Sequence, residues 1–191
     1  MCGRYTLRTP LNVLAEQLLF DLGYAEAVPR FNIPPTTEVL AVRQPRELAK
    51  FRCGLIPSWA KDAKIAYSTI NARADTVATK PAFRSAFKKR RCLVLADGYF
   101  EWKKLGKGKQ PYLYRGGRRQ APVESCTIIT TDANELAQQV HDRMPVILDA
   151  DDYDPWLAGE QVPLVPFPAS QCLRRQRQEP GAAVCRADYS I

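Results

Sequence analysis

Cys2 is the residue whose chemistry stands out first. Cysteine is small enough at the second position for the initiator methionine to be removed, which leaves an N-terminal 1,2-aminothiol. An α-amine titrates near ~7.7–8.0 against ~10.4 for lysine, so a useful fraction is neutral at pH 7. The neutral amine attacks an aldehyde to give an imine, and the adjacent thiol closes a five-membered thiazolidine. The same residue suits a second chemistry, N-terminal nucleophilic attack on a peptide bond. The plain alternative is a frayed terminus with an incidental cysteine; the run Cys2-Gly3-Arg4-Tyr5-Thr6 reads instead as an ordered strand.

Other polar residues sit where chemistry or structure would both use them. Glu101 lies within Tyr99-Phe100-Glu101-Trp102, where a carboxyl among aromatics has a raised pKa and can shuttle protons. It reads equally as a surface residue of an alternating strand. His141, the single histidine, is followed by Asp142-Arg143-Met144-Pro145. Asn71 opens Asn-Ala-Arg-Ala-Asp and can simply cap a turn. Trp59 and Trp102 count as core by default, but beside Arg4 and Arg73 they offer the aromatic-plus-cation surface that binds single strands.

The elements that must hold these residues are short and mixed. Cys2–Leu7 reads as a strand. Pro10 opens a helix of about three turns carrying Val13, Leu14, Leu18 and Leu19. Strands are expected at Glu38–Arg43, Leu48–Ile56, Arg91–Leu95, Tyr99–Lys103, Gln110–Tyr114, Glu124–Thr130 and Met144–Leu148. Asn71–Asp75 reads as a turn and Pro81–Lys89 as a short helix. Asp132 caps a helix through Gln139, and a last helix spans Asp151–Leu157 and ends at Gly159. Without regular strand–helix alternation, the expectation is α+β: a curled, barrel-like, mostly antiparallel sheet with short peripheral helices.

The 191 residues suit one domain. We expect a single domain over residues 1–168 and an atypical Arg-rich tail over 169–191. The chain has 46% hydrophobic and 25% charged residues, which speaks against wholesale disorder. No apolar run reaches the ~20 residues of a membrane span, and the first residues hold no secretory h-region. A cytoplasmic protein is expected, nucleoid-associated if bacterial, with no membrane contact. Six scattered cysteines without C-x-x-C, and one histidine, argue against a structural metal site. Lys and Arg number 28 against 20 Asp and Glu, a net +8 that favours a polyanionic partner. Part of it has duller uses: Lys88-Lys89-Arg90-Arg91 suits a helix C-terminus and Lys104–Lys109 a hairpin tip.

Taken in order, the motifs Cys2-Gly-Arg4, Phe31-Asn-Ile-Pro-Pro-Thr36, Gly54-Leu-Ile-Pro-Ser-Trp59-Ala, Asn71-Ala-Arg73-Ala-Asp, Ala96-Asp-Gly-Tyr-Phe-Glu101-Trp102, Ser125-Cys-Thr-Ile-Ile-Thr-Thr and His141-Asp-Arg-Met-Pro resemble the SOS response-associated peptidase family. The stretch Phe83-Arg-Ser-Ala-Phe-Lys-Lys-Arg-Arg-Cys92-Leu-Val belongs with them, and the resemblance runs from residue 2 to about 157. It implies a barrel-like α+β fold and a protein that senses abasic sites in single-stranded DNA and captures them covalently through Cys2, after loss of Met1. By the same resemblance, Cys2 is the nucleophile, and Asn71 orients it or the deoxyribose. Glu101 is the acid/base of ring closure, and His141 assists sugar opening and crosslink reversal. Arg4 and Arg73 match phosphate contacts, and Trp59 and Trp102 match aromatics that stack on or wedge bases. No metal and no cofactor is implied, no protein partner can be named, and a monomer is expected. Two rival readings are a cysteine peptidase acting mainly on its own Met1 and a non-catalytic single-strand binder.

The chain departs from the family pattern at Cys53 and Leu95, where tryptophan and proline are usual. It departs more deeply at residues 115–124, where a strand-bearing segment of about two dozen residues is reduced to Gly116–Val123. The usual C-terminal strand is also unrecognisable after Pro168. A weakened scaffold with open edges is expected from these losses.

Overall fold

A computed structural model describes residues 3–22, 27–102, 124–176 and 182–186. Its elements are β1 (Arg4–Leu7), α1 (Leu11–Leu18), β2 (Arg30–Ile33), β3 (Glu38–Arg43), β4 (Glu47–Cys53), β5 (Asn71–Arg73), α2 (Arg84–Lys89), β6 (Cys92–Val94), β7 (Gly98–Trp102), β8 (Ser125–Cys126), β9 (Ile128–Asp132), β10 (Arg143–Pro145), α3 (Tyr153–Ala158), β11 (Leu173–Gln176) and β12 (Ala182–Arg186). They assemble into a five-stranded sheet β11-β12-β7-β1-β2, a four-stranded sheet β6-β3-β4-β8 and a three-stranded sheet β10-β9-β5. Every pairing is antiparallel except β4 with β8 and β5 with β9. The expected α+β architecture, a curled and mostly antiparallel sheet with few short helices, is the one found.

Several local expectations give way to tertiary pairing. Asn71–Asp75 begins as β5, because parallel bonds to β9 (Asn71 beside Ile128, Arg73 beside Thr130) hold it extended before the chain turns. The run Glu124–Thr130 is one alternating pattern in sequence but two strands in space. Thr127 breaks it, its hydroxyl donating to the Ile70 carbonyl, so that β8 joins one sheet and β9 another. Asp132 caps no helix: it ends β9 and accepts a 2.8 Å bond from Arg143. Asn134 does the capping, its Oδ1 accepting from the Ala137 N–H at the start of a single 3-10 turn.

Helix α1 is shorter than expected. Leu11, Leu14 and Leu18 form its buried stripe at helical spacing, whereas Leu19 turns left-handed at φ 52° and stays exposed. Val13 also faces outward. The stripe packs on a core that includes Tyr5, Ile33, Val42, Leu95, Tyr99 and Met144.

The segment expected as a tail contributes a hairpin instead. β12 pairs with β7 along its length (Ala183 beside Glu101, Val184 beside Phe100), so β7 is an interior strand with β1 on its other side. The expected strand at Gln110–Tyr114 and the shortened connection lie, apart from Glu124, outside the described residues. Beside β6 and β8 the interior holds a cavity of about 700 Å³, lined among others by Leu93, Cys92, Cys126, Phe87 and Trp156. Among the described residues no helix is long and apolar enough to cross a membrane.

Candidate active site

Alternation along β7 sorts its residues between two faces. Tyr99 and Glu101 share one face, and Phe100 and Trp102 share the other, where the Phe100 and Trp102 rings lie 6.2 Å apart at 34°. Arg4 pairs in register with Phe100 and therefore joins the aromatic face. Because β1 and β7 run antiparallel, the chain upstream of Arg4, at Gly3, heads toward the Glu101–Trp102 end of β7. Cys2 itself lies outside the described residues.

Glu101 is 5% exposed. Burial pushes its carboxyl up from the usual range, because the charged form loses hydration, and the nearby His141 charge opposes that rise. The two residues expected to move protons are thus close enough to act on each other, although they come from different sheets.

His141 sits just before β10, with its side chain 23% exposed. Its Nδ1 has two neighbours: the backbone N–H of Arg143 at 3.0 Å and the Asp142 carboxylate at 2.9 Å. The neutral ring cannot accept from the first and donate to the second through one nitrogen. The backbone donor is fixed, while the Asp142 side chain is 86% exposed and free to be hydrated. In its neutral form the ring therefore takes Nδ1 as acceptor and carries its proton on Nε2.

Asn71 is half-buried at the start of β5. The β10-β9-β5 sheet carries Asn71 and Arg73 on one side of β9, with His141 just before β10 on the other, and the Asp142 charge next to His141 reaches Arg73. Arg143 braces this sheet, donating to Asp132 Oδ1 at 2.8 Å and to the Thr130 carbonyl at 2.6 Å.

The two arginines are held differently. Arg4 Nη1 donates to the neutral Asn32 Oδ1 at 2.9 Å. Arg73 grips Asp75 through Nε (3.1 Å to Oδ1) and Nη2 (2.7 Å to Oδ2). That grip raises the Arg73 pKa and lowers that of Asp75, and the charges of Asp132 and Asp142 also favour the Arg73 cation.

Trp59 is not core: it is 59% exposed, on a turn after Pro57. The turn is fixed from behind. The Ile56 N–H donates to Ser125 Oγ at 2.8 Å, and the Thr69 hydroxyl donates to the Leu55 carbonyl at 2.5 Å. Gly54 has φ +114°, and a Cβ there would collide with the Ala66 carbonyl. Trp102 is likewise exposed, at 44%.

Sequence reasoning did not single out Asp97. Its carboxylate accepts from the Thr6 hydroxyl (2.5 Å), the Arg8 N–H, and the Thr9 N–H (2.9 Å) and hydroxyl (3.2 Å). Burial works against the charge, but these bonds hold its pKa below the usual carboxylate value. Asp97 thereby ties the end of β1 to the start of β7. The one available signal was an acid between small residues, Ala96-Asp97-Gly98, between two strands.

A sheet that presents an exposed tryptophan and an arginine on one face and a buried carboxyl beside a histidine on the other defines a class that comparison with known proteins makes explicit. The SOS response associated peptidase (SRAP) family profile matches residues 1–179. The chain belongs to this family. It is 40% identical over 179 residues to the abasic site processing protein YoaM of Bacillus subtilis, covering 82% of this chain and 79% of that one. It is 32% identical over 183 residues to the abasic site processing protein YedK of Escherichia coli, covering 84% and 81%. A crystal structure of a Bacteroides thetaiotaomicron protein superposes with a TM-score of 0.67 at 26% identity, covering 88% of this chain and 89% of that one.

Proposed function

We propose that this protein captures abasic sites in single-stranded DNA, forming a thiazolidine crosslink through Cys2 once Met1 has been removed. The observation that carries the reading is the buried Glu101, its carboxyl raised by burial and within reach of the His141 charge, at the end of β7 toward which the N-terminal chain runs. The abasic-site processing named for the relatives agrees with it.

In this reading the ring-opened sugar presents an aldehyde. The Cys2 amine adds to it, and water leaves as the imine forms. The thiol then adds to the imine carbon and its proton passes to nitrogen, so the sum is aldehyde plus aminothiol giving thiazolidine plus water. Protonated Glu101 gives its proton to the departing oxygen, takes back the one nitrogen loses as the imine forms, and relays the thiol proton to nitrogen at ring closure. His141, with its proton on Nε2, assists opening of the sugar and reversal of the crosslink. Asn71 orients the nucleophile or the deoxyribose, Arg4 and Arg73 contact phosphates, and Trp59 and Trp102 stack on bases. Every proposed DNA contact lies within residues 1–168, and the protein acts as a monomer.

The test is a denaturing gel after incubation with abasic single-stranded DNA, alongside intact mass to score loss of Met1. The wild type is expected to yield a denaturant-stable adduct. Cys2→Ala is expected to abolish it, and Cys2→Ser to lose most of it, because a hydroxyl closes the ring poorly. Full crosslinking by the alanine variant overturns the mechanism, as does a chain that binds DNA but retains Met1.

A further inference from the structure

The four-stranded sheet places β6 and β8 at its two outer positions, with β3 and β4 between them. The Cys92 thiol on β6 and the Cys126 thiol on β8 are nevertheless close enough to share a hydrogen bond. Both are free thiols, and both line the 700 Å³ cavity. Cys92 is half-buried, whereas Cys126 is 4% exposed. Cys53 sits beside Cys126 in the β4–β8 register, but it is buried and does not line the cavity. The cavity wall also carries Arg43, Lys89, Arg90 and Arg91. Arg43 is tied to Glu47 and Glu124, while Arg91 stacks on Phe87 and Trp156 (4.6 and 4.5 Å to the ring centroids) and donates to the carbonyls of Phe87 and Glu160. Among the described residues Arg91 has no carboxylate partner, so its charge remains available to an anion.

We propose that Cys92 and Cys126 form a thiol–disulfide exchange site, which takes an anionic small-molecule disulfide from the cavity and closes to a disulfide joining β6 to β8. Cys92 attacks first. It is the more accessible of the two, and a hydrogen bond from the Cys126 thiol favours its thiolate against the cost of burial. Its sulfur bonds to one sulfur of the small disulfide, and the other leaves as a thiolate. Cys126 then loses its proton and attacks the Cys92 sulfur, releasing the second small thiolate. Two cysteine thiols are oxidised by two electrons, one external disulfide is reduced to two thiols, and the cysteine protons go to those products. The resulting crosslink spans the 92–126 segment, which contains the connection unusually short for the family.

Glutathione disulfide, anionic and of suitable size, is the probe. The full-length protein is incubated with it under native conditions and quenched in acid. Remaining thiols are alkylated and the peptides mapped, with Cys2 scored separately. The expected product is a Cys92–Cys126 linked peptide with Cys53 still alkylatable. Cys126→Ser should trap a glutathione adduct on Cys92, and Cys92→Ser should leave Cys126 unmodified. Thermal melts should show the oxidised wild type melting higher than the reduced protein, since closing this loop restricts the unfolded chain. If Cys92 and Cys126 both remain alkylatable in the wild type, or the link is made to Cys53, the proposal is overturned. Equal modification of Cys126 in the Cys92→Ser protein would also overturn it. The wild-type map decides the matter even if a variant fails to fold.

Discussion

The five-stranded sheet and the small β10-β9-β5 sheet bring arginine to the candidate site in two different ways. On the larger sheet Arg4 lies in register with Phe100, on the face of Trp102, and reaches a neutral amide at Asn32. On the smaller one Arg73 is engaged by both oxygens of Asp75, with Asp132 and Asp142 close enough to favour its charge. The same contrast runs through the remaining groups. β7 carries a carboxyl buried without full hydration, while the smaller sheet carries carboxylates that are exposed and ion-paired. Low-dielectric burial magnifies a single proton, and solvent-exposed pairs largely cancel. The two regions therefore suit different tasks: chemistry at the buried end of β7, and binding adjusted by charge on the smaller sheet.

The sharpest way to break this division is Glu101→Gln, which keeps the shape and removes the titrating proton. Adduct formation should slow by about 10²–10⁴-fold, the usual range for losing a general acid–base group. The variant should also reveal the cost of burial. Burial raises the folded-state pKa of Glu101, so its stabilising effect is fully present below the unfolded-state value and is lost as pH rises through the folded-state value. Glutamine does not titrate, so the variant's stability relative to wild type should improve from acid to neutral pH. Urea unfolding at both ends of that range measures it. A constant difference between the two proteins would mean that Glu101 ionises as freely when folded as when unfolded.

The aromatic residues come next in size. Trp102 has Phe100 beneath it on the same strand face, and Trp59 rides on a turn fixed by Ser125 and Thr69. Alanine at either should weaken binding of an undamaged single strand by ~1–3 kcal/mol, the range measured for base–aromatic stacking. Fluorescence anisotropy reads this directly. An effect at Trp102 alone would confine stacking to the larger sheet and sharpen the contrast; no effect at either would remove stacking from the proposed role.

The sequence made these groups legible to unequal degrees. Glu101 between aromatics and Arg4 at the start of a strand announce themselves in local patterns, whereas Trp59 counts as core by default and only the structure exposes it. The α+β class is also legible, through short strands without regular alternation with helices. Asn71–Arg73 looked like a turn because Asn and Asp favour turns locally, and only the parallel partner β9, more than fifty residues away, makes it a strand. The break at Thr127 was hidden for the same reason: an unbroken alternating pattern does not say that its halves belong to different sheets. The C-terminal hairpin was missed because its Arg-rich composition shows no period, although β7 supplies the ladder that holds β12. The mutual influence of Glu101 and His141 arises between sheets and leaves no local trace.

The smallest expected effect tests the comparison most directly, because it asks whether two arginines of equal charge contribute equally to DNA binding. For single strands, each phosphate contact contributes about 0.7 to the magnitude of the slope of log K against log salt. Arg4→Ala should lower that magnitude by about 0.7, the share of one phosphate contact. Arg73→Ala should lower it by less, because Arg73 must first release Asp75, and the phosphate gains only what the carboxylate loses. Asp75→Asn then becomes the informative variant. It removes the competing charge, frees Arg73, and should strengthen binding while steepening the slope; combining it with Arg73→Ala should cancel that gain. Anisotropy titrations across a salt series check all four proteins. If Arg4→Ala and Arg73→Ala shift the slope equally, and Asp75→Asn changes nothing, the Asp75 pair does not compete with DNA, and the two sheets contribute charge on the same terms.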